Sequence, residues 1–362
     1  MRRMATGLCP SPAYGELRKE PVHLLDQPEL LMEATLTNVY TMRKTSHRTT
    51  LASRAQGALI GLVVGDALGS GVDGWSPERI REQYPDGVRE MLANPELGTL
   101  KGQTTDKSEP AMVLARHLAE HHEYHAATAR AEYVKWINSG GRARDTAFTQ
   151  ALLDNSVGTS NSNAALLRVA PLGVFGTLIW SGVVELWAGE DGALTHTDPV
   201  CLAANELFAV AIASAVREPI APRALFESIT HHAENSVVLN DVIHRARKTP
   251  PPDYLEHPDV VTVALHNALW QLTHVPSFEE ALVHTIAHGG DPAGNAAVCG
   301  ALLGAVYGVQ SIPKKWIKAV LDCKPEAGHK GVTLVRPQQY WPSDALELAE
   351  KLVAEHAQGV TA

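Results

Sequence analysis

From Leu51 onward the apolar residues recur with the period of a helix. In LASRAQGALIGLVVGDALG, Gly57, Gly61 and Gly65 fall every four residues, which leaves one helix face without side chains and open to close approach by another backbone. Ala111, Leu114, Ala115 and Leu118 keep the spacing of a core-facing stripe, and Ser108, Glu109 and Pro110 mark where that helix starts. The same period returns in Ala203–Val216, Val261–Leu272 and Asn295–Tyr307. Ala297, Gly300, Ala301, Gly304 and Gly308 there form a second small-residue stripe. Strand-like alternation is scarce, and Pro, Gly, Asn and Asp separate the helical segments. The pattern predicts an all-α domain over residues 51–362. The run KTPPPD at 248–253 is the clearest internal loop, but composition does not shift across it, so it marks no domain boundary, and no internal repeat is found.

Residues 1–50 read differently. Pro10, Pro12, Pro21 and Pro28 break any long helix, while Leu24, Leu25, Leu30, Leu31 and Tyr40 give more apolar content than a solvating tail needs. The segment is an arm, either disordered or ordered on a partner. Across the 362 residues, 31 Lys and Arg stand against 40 Asp and Glu, a formal net charge of −9 without a dense basic block. That balance argues against a binder of duplex nucleic acid, whose phosphate contacts need clustered positive charge. The glycine-laced apolar run Gly57–Gly65 is far short of the roughly 20 residues that span a bilayer, so no membrane partner is expected. The N-terminus lacks the apolar middle of a secretory signal, which predicts a cytoplasmic location. Cys9, Cys201, Cys299 and Cys323 show no CxxC spacing and read as reduced, mostly buried thiols.

Two polar loops lead into helices: Gly102-Gln-Thr-Thr-Asp-Lys-Ser-Glu109 and His288-Gly-Gly-Asp-Pro-Ala-Gly-Asn295. Taken singly, Thr105, Asp106, Ser108 and Asp291 read as helix caps, because the first turn of a helix has unpaired N–H groups and a partial positive charge. Thr159-Ser-Asn-Ser-Asn163 reads as a polar turn capping a helix at Ala164, or with Arg168 as a contact for a nucleotide or phosphate. His117 and His121, four apart on a helix, have a spacing that can hold zinc but lack a third ligand, so they read as a solvated face.

Together with GALIGLVVGDALG these loops resemble the ADP-ribosylglycohydrolase family, which includes dinitrogenase reductase-activating glycohydrolase. The matching motifs run in order from Leu51 to Cys323: Gly65-Asp-Ala-Leu-Gly69, Gly102-Gln-x-Thr-Asp106, Asn163 to Leu172, Leu194-Thr-His196, Pro276-Ser-Phe-Glu-Glu280, and Gly289-Gly-Asp291 followed by Asn295 to Ala305. The resemblance implies an all-helical, orthogonal bundle whose members cleave the glycosidic bond between ADP-ribose and a side chain with two divalent cations, Mg²⁺ or Mn²⁺. It puts ligand contacts at Asp66, Ser160, Asn163, Arg168, Gly289 and Gly290, and leaves Thr105, Asp106 and Asp291 as residual metal ligands.

The family's first loop normally reads Thr-Asp-Asp and its second Gly-Gly-Asp-x-Asp-Thr. Here Lys107 stands at the second Asp, Ala293 at the second-loop Asp and Gly294 at its Thr. An acidic residue usual after Tyr133-Val-Lys-Trp136 falls in direct register on Ala143, with Asp145 two residues further on. An ammonium donates hydrogen bonds, cannot ligate a cation and repels one. The expectation is therefore no cofactor, with Lys107 Nζ near the position of a missing ion and paired with Asp106 and Asp291. Mg²⁺ or Mn²⁺ is expected only if the family activity persists. Three functions remain: a protein that binds ADP-ribose or an ADP-ribosylated protein without cleaving it, an active hydrolase, and a metal-free enzyme reusing the cleft, for which the sequence offers Lys107. Asp145 is the other candidate catalytic residue, in place of the missing acidic one. The first includes neutralisation of an ADP-ribosyltransferase toxin, since residues 1–50 match in position the extension of family members that look like immunity proteins.

Overall fold

A computed structural model describes residues 49–141, 145–234, 236–252 and 254–358. The proposed arm, apart from Thr49 and Thr50, and Ala143 lie outside the described residues. Helices come in the order α1 (Leu51–Ser70), α2 (Pro77–Gln83), α3 (Glu109–His121), α4 (Ala126–Asn138), α5 (Thr146–Asp154), α6 (Ala164–Arg168), α7 (Ala170–Phe175) and α8 (Ser181–Ala193). They continue with α9 (Pro199–Arg217), α10 (Pro222–Ile229), α11 (Val237–Ala246), α12 (Val261–His274), α13 (Phe278–Ala287), α14 (Pro292–Tyr307), α15 (Lys314–Leu321) and α16 (Ala345–Gln358). Among the described residues β structure is limited to isolated bridges, one of which joins Ser162 to Val260. The all-α expectation holds.

Helix starts follow from local chemistry. The side chains of Thr50, Ser76, Asp145, Asp198, Ser236, Ser277 and Asp291 each accept a backbone N–H of the first turn they precede. Ser108 occupies the cap position of α3 without capping it, because its hydroxyl is drawn to Asp66 instead.

The centre of the bundle is the crossing of α1 with α14, where the two glycine stripes meet. A Cβ on Gly61 would sit 2.0 Å from the Gly300 carbonyl oxygen, and one on Gly57 would sit 2.0 Å from that of Gly304. Backbone touches backbone, as the stripe at Gly57, Gly61 and Gly65 predicts. Helices α1 and α9 are long and apolar enough to cross a membrane, but 83% and 67% of their apolar windows lie inside the protein, so their apolarity serves the core. Cys201, Cys299 and Cys323 are free, buried thiols. The α1–α14 crossing also sets the site: the N-terminus of α14 carries the second loop, and Asp66 near the end of α1 faces the first.

Candidate functional site

The first loop is tied down from below. Gly102 turns it at φ +80°, where a Cβ would meet the Ala319 carbonyl oxygen at 2.3 Å. Asp66, fully buried on α1, then accepts from Thr105 N at 2.8 Å, Thr105 Oγ1 at 2.7 Å and Ser108 Oγ at 2.5 Å. Burial pushes this carboxyl up to about 6 against those three donors. Asp66 is thus a buried anchor of the loop.

The second loop turns on Gly289 and Gly290, with φ of +66° and +72°. A Cβ at Gly290 would fall 1.8 Å from the Tyr254 carbonyl oxygen, and the Tyr254 ring stacks on His288 at 4.4 Å. Asp291 follows as the cap of α14. Its Oδ1 accepts from Gly294 N at 3.1 Å, and its Oδ2 accepts from Lys107 Nζ and Asn163 Nδ2, each at 2.9 Å. Burial disfavours the Asp291 charge, but the Lys107 ammonium and the donors of Asn163 and Gly294 outweigh it and hold the carboxyl below its usual range. Lys107 therefore reaches across from the first loop and joins it to the second.

The residues at 293 and 294 complete this arrangement. Ala293 is fully buried. A Cβ at Gly294 would lie 2.2 Å from Asp291 Oδ2, so a threonine there would drive the carboxylate out of its present position. The donor set does not suit a pair of hard divalent cations, which need several free oxygen ligands. Asp291 is committed to N–H donors, Thr105 Oγ1 donates to Asp66, Ala293 and Gly294 bring no oxygen, and Lys107 brings a positive charge.

Beside the loops opens a cleft of about 90 Å³ lined by Asp106, Lys107, Asp145, Ser162, Asn163 and Asp259 on its polar side. Trp136, Phe148, Pro110 and Leu167 form the apolar side. Trp136 is held from behind: its Nε1 donates to Glu109 Oε2 at 2.6 Å, and Glu109 also pairs with Arg336 at 2.8 Å. Burial pushes the Glu109 carboxyl up to about 7, with Arg336 and Trp136 pulling the other way. The loop carrying Ser162 and Asn163 is fixed by two backbone bonds, Asn163 N to Asp259 O and Val261 N to Asn161 O.

The structure brings Lys107, Asp106, Asp145, Asn163 and Asp291 to one place and sets others apart. Arg168, expected at a ligand, is fully buried on α6. Its Nε donates to Asp191 Oδ2 at 2.7 Å and a terminal nitrogen donates to the Asp191 carbonyl at 2.5 Å. Asp191 also receives the Tyr133 hydroxyl at 2.9 Å. Arg168 is a core ion-pair residue, because a buried guanidinium needs a charge partner more than a ligand. Ser160 is half-buried and accepts from Ser162 N, and neither it nor Gly289 and Gly290 line the cleft. His117 is buried, contrary to the solvated-face reading. Its ring lies 4.3 Å from that of His121 and its Nε2 is 3.2 Å from Thr128 Oγ1. Among the described residues no three His, Cys, Asp or Glu side chains are grouped to hold a metal. The sequence reading took Glu109 only as a helix start and missed Asp259. Of His196 it saw only a motif position; only the fold carries that ring to Ser162.

An all-helical bundle with two polar loops converging on a cleft at the end of its central helix pair defines an ADP-ribosylglycohydrolase-type protein. The chain belongs to that family: the ADP-ribosylglycohydrolase model matches residues 47–359. It is similar to ADP-ribosyl-[dinitrogen reductase] glycohydrolase of Rhodospirillum rubrum, 28% identical, over 75% of this chain and 92% of the relative. ADP-ribosylarginine hydrolase Tri1 of Pseudomonas putida is 25% identical over 74% of each chain. A solved structure titled ADP-ribosylglycohydrolase-related protein complex superposes with a TM-score of 0.68 at 25% identity, covering 84% of this chain and 99% of the other.

Proposed function

We propose that the chain recognises ADP-ribosyl groups in the cleft between its two loops and holds them without the two-metal hydrolysis of its family. The supporting observation is the contact of the Lys107 ammonium with Asp291 Oδ2 at 2.9 Å, at a carboxylate the family pattern assigns to a cation. An ammonium neutralises that carboxylate through a charge-assisted hydrogen bond, but it has no open coordination position with which to activate a water. In this reading the cleft works without a Lewis acid. Its partner is then an ADP-ribosylated protein, or an ADP-ribosyltransferase engaged through residues 1–50.

Hydrolysis is the competing function, because relatives from R. rubrum and P. putida carry the names of hydrolases. Release of ADP-ribose from an ADP-ribosylarginine substrate separates the two. We expect no release by the unaltered chain with or without Mg²⁺ or Mn²⁺, and release by a Lys107→Asp/Ala293→Asp/Gly294→Thr variant. Metal-dependent turnover by the unaltered chain overturns the proposal. Capture of a transferase with and without residues 1–50 tests the arm, and equal capture removes it.

A further inference from the structure

Ser162 Oγ stands between the Asp145 carboxylate and the His196 imidazole, hydrogen-bonded to Asp145 Oδ2 and 2.9 Å from His196 Nε2. Across the ring, Thr195 Oγ1 is 2.7 Å from Nδ1. Thr195, His196 and Ser162 are buried, while the Asp145 side chain keeps 20% of its surface exposed and lines the cleft.

Proton directions follow from valence. A carboxylate only accepts, so the Ser162 hydroxyl donates to Asp145. With its one proton committed, Ser162 Oγ meets His196 only as the acceptor of Nε2–H. A neutral ring carries a single N–H, so Nδ1 accepts from Thr195. Burial and the Arg168 guanidinium keep this ring neutral against the pull of Asp145 and Asp198, pushing it down to about 4. The donors of the chain all run towards the cleft and polarise one another. On the other oxygen, Oδ1 accepts from Ala147 N at 2.8 Å and Phe148 N at 3.3 Å at the start of α5. Of the roughly four acceptor positions of a carboxylate, these three contacts from the described residues leave one, on Oδ2.

We propose that Ser162 and His196 are positioning residues that hold Asp145 in one rotamer, with its remaining Oδ2 acceptor position presented to an O–H or N–H donor of a ligand in the cleft. Asp145 touches the ligand, and the other two act through it. The order differs from that of a nucleophilic triad: the nitrogen facing Ser162 is protonated, so no base withdraws the serine proton. The recognition function supplies only the probe, ADP-ribose, and the internal chain stands without it.

Nitrogen-edited NMR of the histidine rings reads that chain directly. His196 is expected as the neutral Nε2–H form with no titration from about pH 5 to 8, and an Nδ1–H form or a midpoint near the ordinary 6.5 overturns the proposal. In Ser162→Ala the Nε2–H loses its acceptor and a mixture of tautomers is expected, so an unchanged ring spectrum also overturns it. Calorimetry with ADP-ribose reads the consequence. Ser162→Ala and His196→Leu should each bind about tenfold more weakly, whereas Ser162→Thr and His196→Gln, which keep the hydroxyl and the N–H, stay within about threefold. Binding by Ser162→Ala and His196→Leu as tight as that of the unaltered chain overturns the proposal. Absence of ADP-ribose binding in the unaltered chain counts against the recognition function alone, and the ring spectra still decide this one.

Discussion

The Lys107 and Asp291 side chains face each other with 12% and 7% of their surface exposed, so neither charge has much water to return to if its partner is lost. Lys107→Met is expected to lower unfolding stability by about 3 kcal/mol in urea titrations, the cost of stranding a buried carboxylate. Lys107→Arg should lose much less. A second residue-scale effect concerns acid. Burial pushes His196 and His284 down to about 4, with Arg168 and His288 respectively adding to the effect. Their folded values lie below the unfolded value near 6.5, so the stability they contribute is complete above about pH 6.5 and is lost as pH falls towards 4. Each adds a slope of up to ~1.4 kcal/mol per pH unit within that window. Denaturant midpoints from pH 7 to 4.5 should fall, and His284→Gln should fall less steeply. At this scale the sequence could name Lys107, Asp106 and Asp291 because adjacent family motifs frame them. It misassigned Arg168, whose partner Asp191 lies on another helix, and nothing in local spacing announces that pair.

At the scale of elements the glycine stripes were the most legible feature, because a four-residue repeat without side chains has one strong physical use in a helix. The α1–α14 crossing bears that out, and it permits a sharp prediction. Gly61→Val places branched carbon where the Gly300 carbonyl oxygen stands 2.0 Å and its carbon 2.7 Å from the Cβ position, both backbone atoms that cannot swing aside, with the Phe278 ring at 3.3 Å. We expect a loss of about 3 kcal/mol or more, read from thermal or denaturant unfolding. Gly74→Ala, at φ +81° with nothing near its Cβ position, should cost only its backbone strain, on the order of 1 kcal/mol. Cap positions were legible in part. Asp291 caps α14 as its place before the helix suggests, yet it also binds Lys107 and Asn163. Ser108 sits at the start of α3 and turns its hydroxyl to Asp66, 42 residues away in sequence. The hydroxyl donates to that buried carboxylate, and in the rotamer that does so it leaves the first turn of α3 without a side-chain cap.

For the whole molecule, charge balance across the two loops is the quantity that matters. Replacing Lys107, Ala293 and Gly294 by Asp, Asp and Thr adds carboxylates to a site that already holds Asp106 and Asp291, and the threonine displaces the Asp291 carboxylate. Without metal this variant should unfold at a lower temperature than the unaltered chain, and millimolar Mn²⁺ should raise its Tm, because a ligand that binds only the folded state stabilises it. The unaltered chain should show no comparable rise. A matching Mn²⁺-dependent rise in the unaltered chain would contradict the reading of the ligand set.

Helical class and the glycine stripe of each central helix were determined along the chain itself, since each depends on residues within a few turns of one another, and the order of the family motifs is a property of the sequence from Leu51 to Cys323. Which donor meets which acceptor was decided only by the tertiary structure. Lys107 reaches Asp291, Ser162 links Asp145 to His196 and Arg336 backs Glu109 because packing brings together segments 17 to 227 residues apart. Burial then sets the charge states: removing water makes each buried ion depend on its nearest partner, and that partner is a property of the fold.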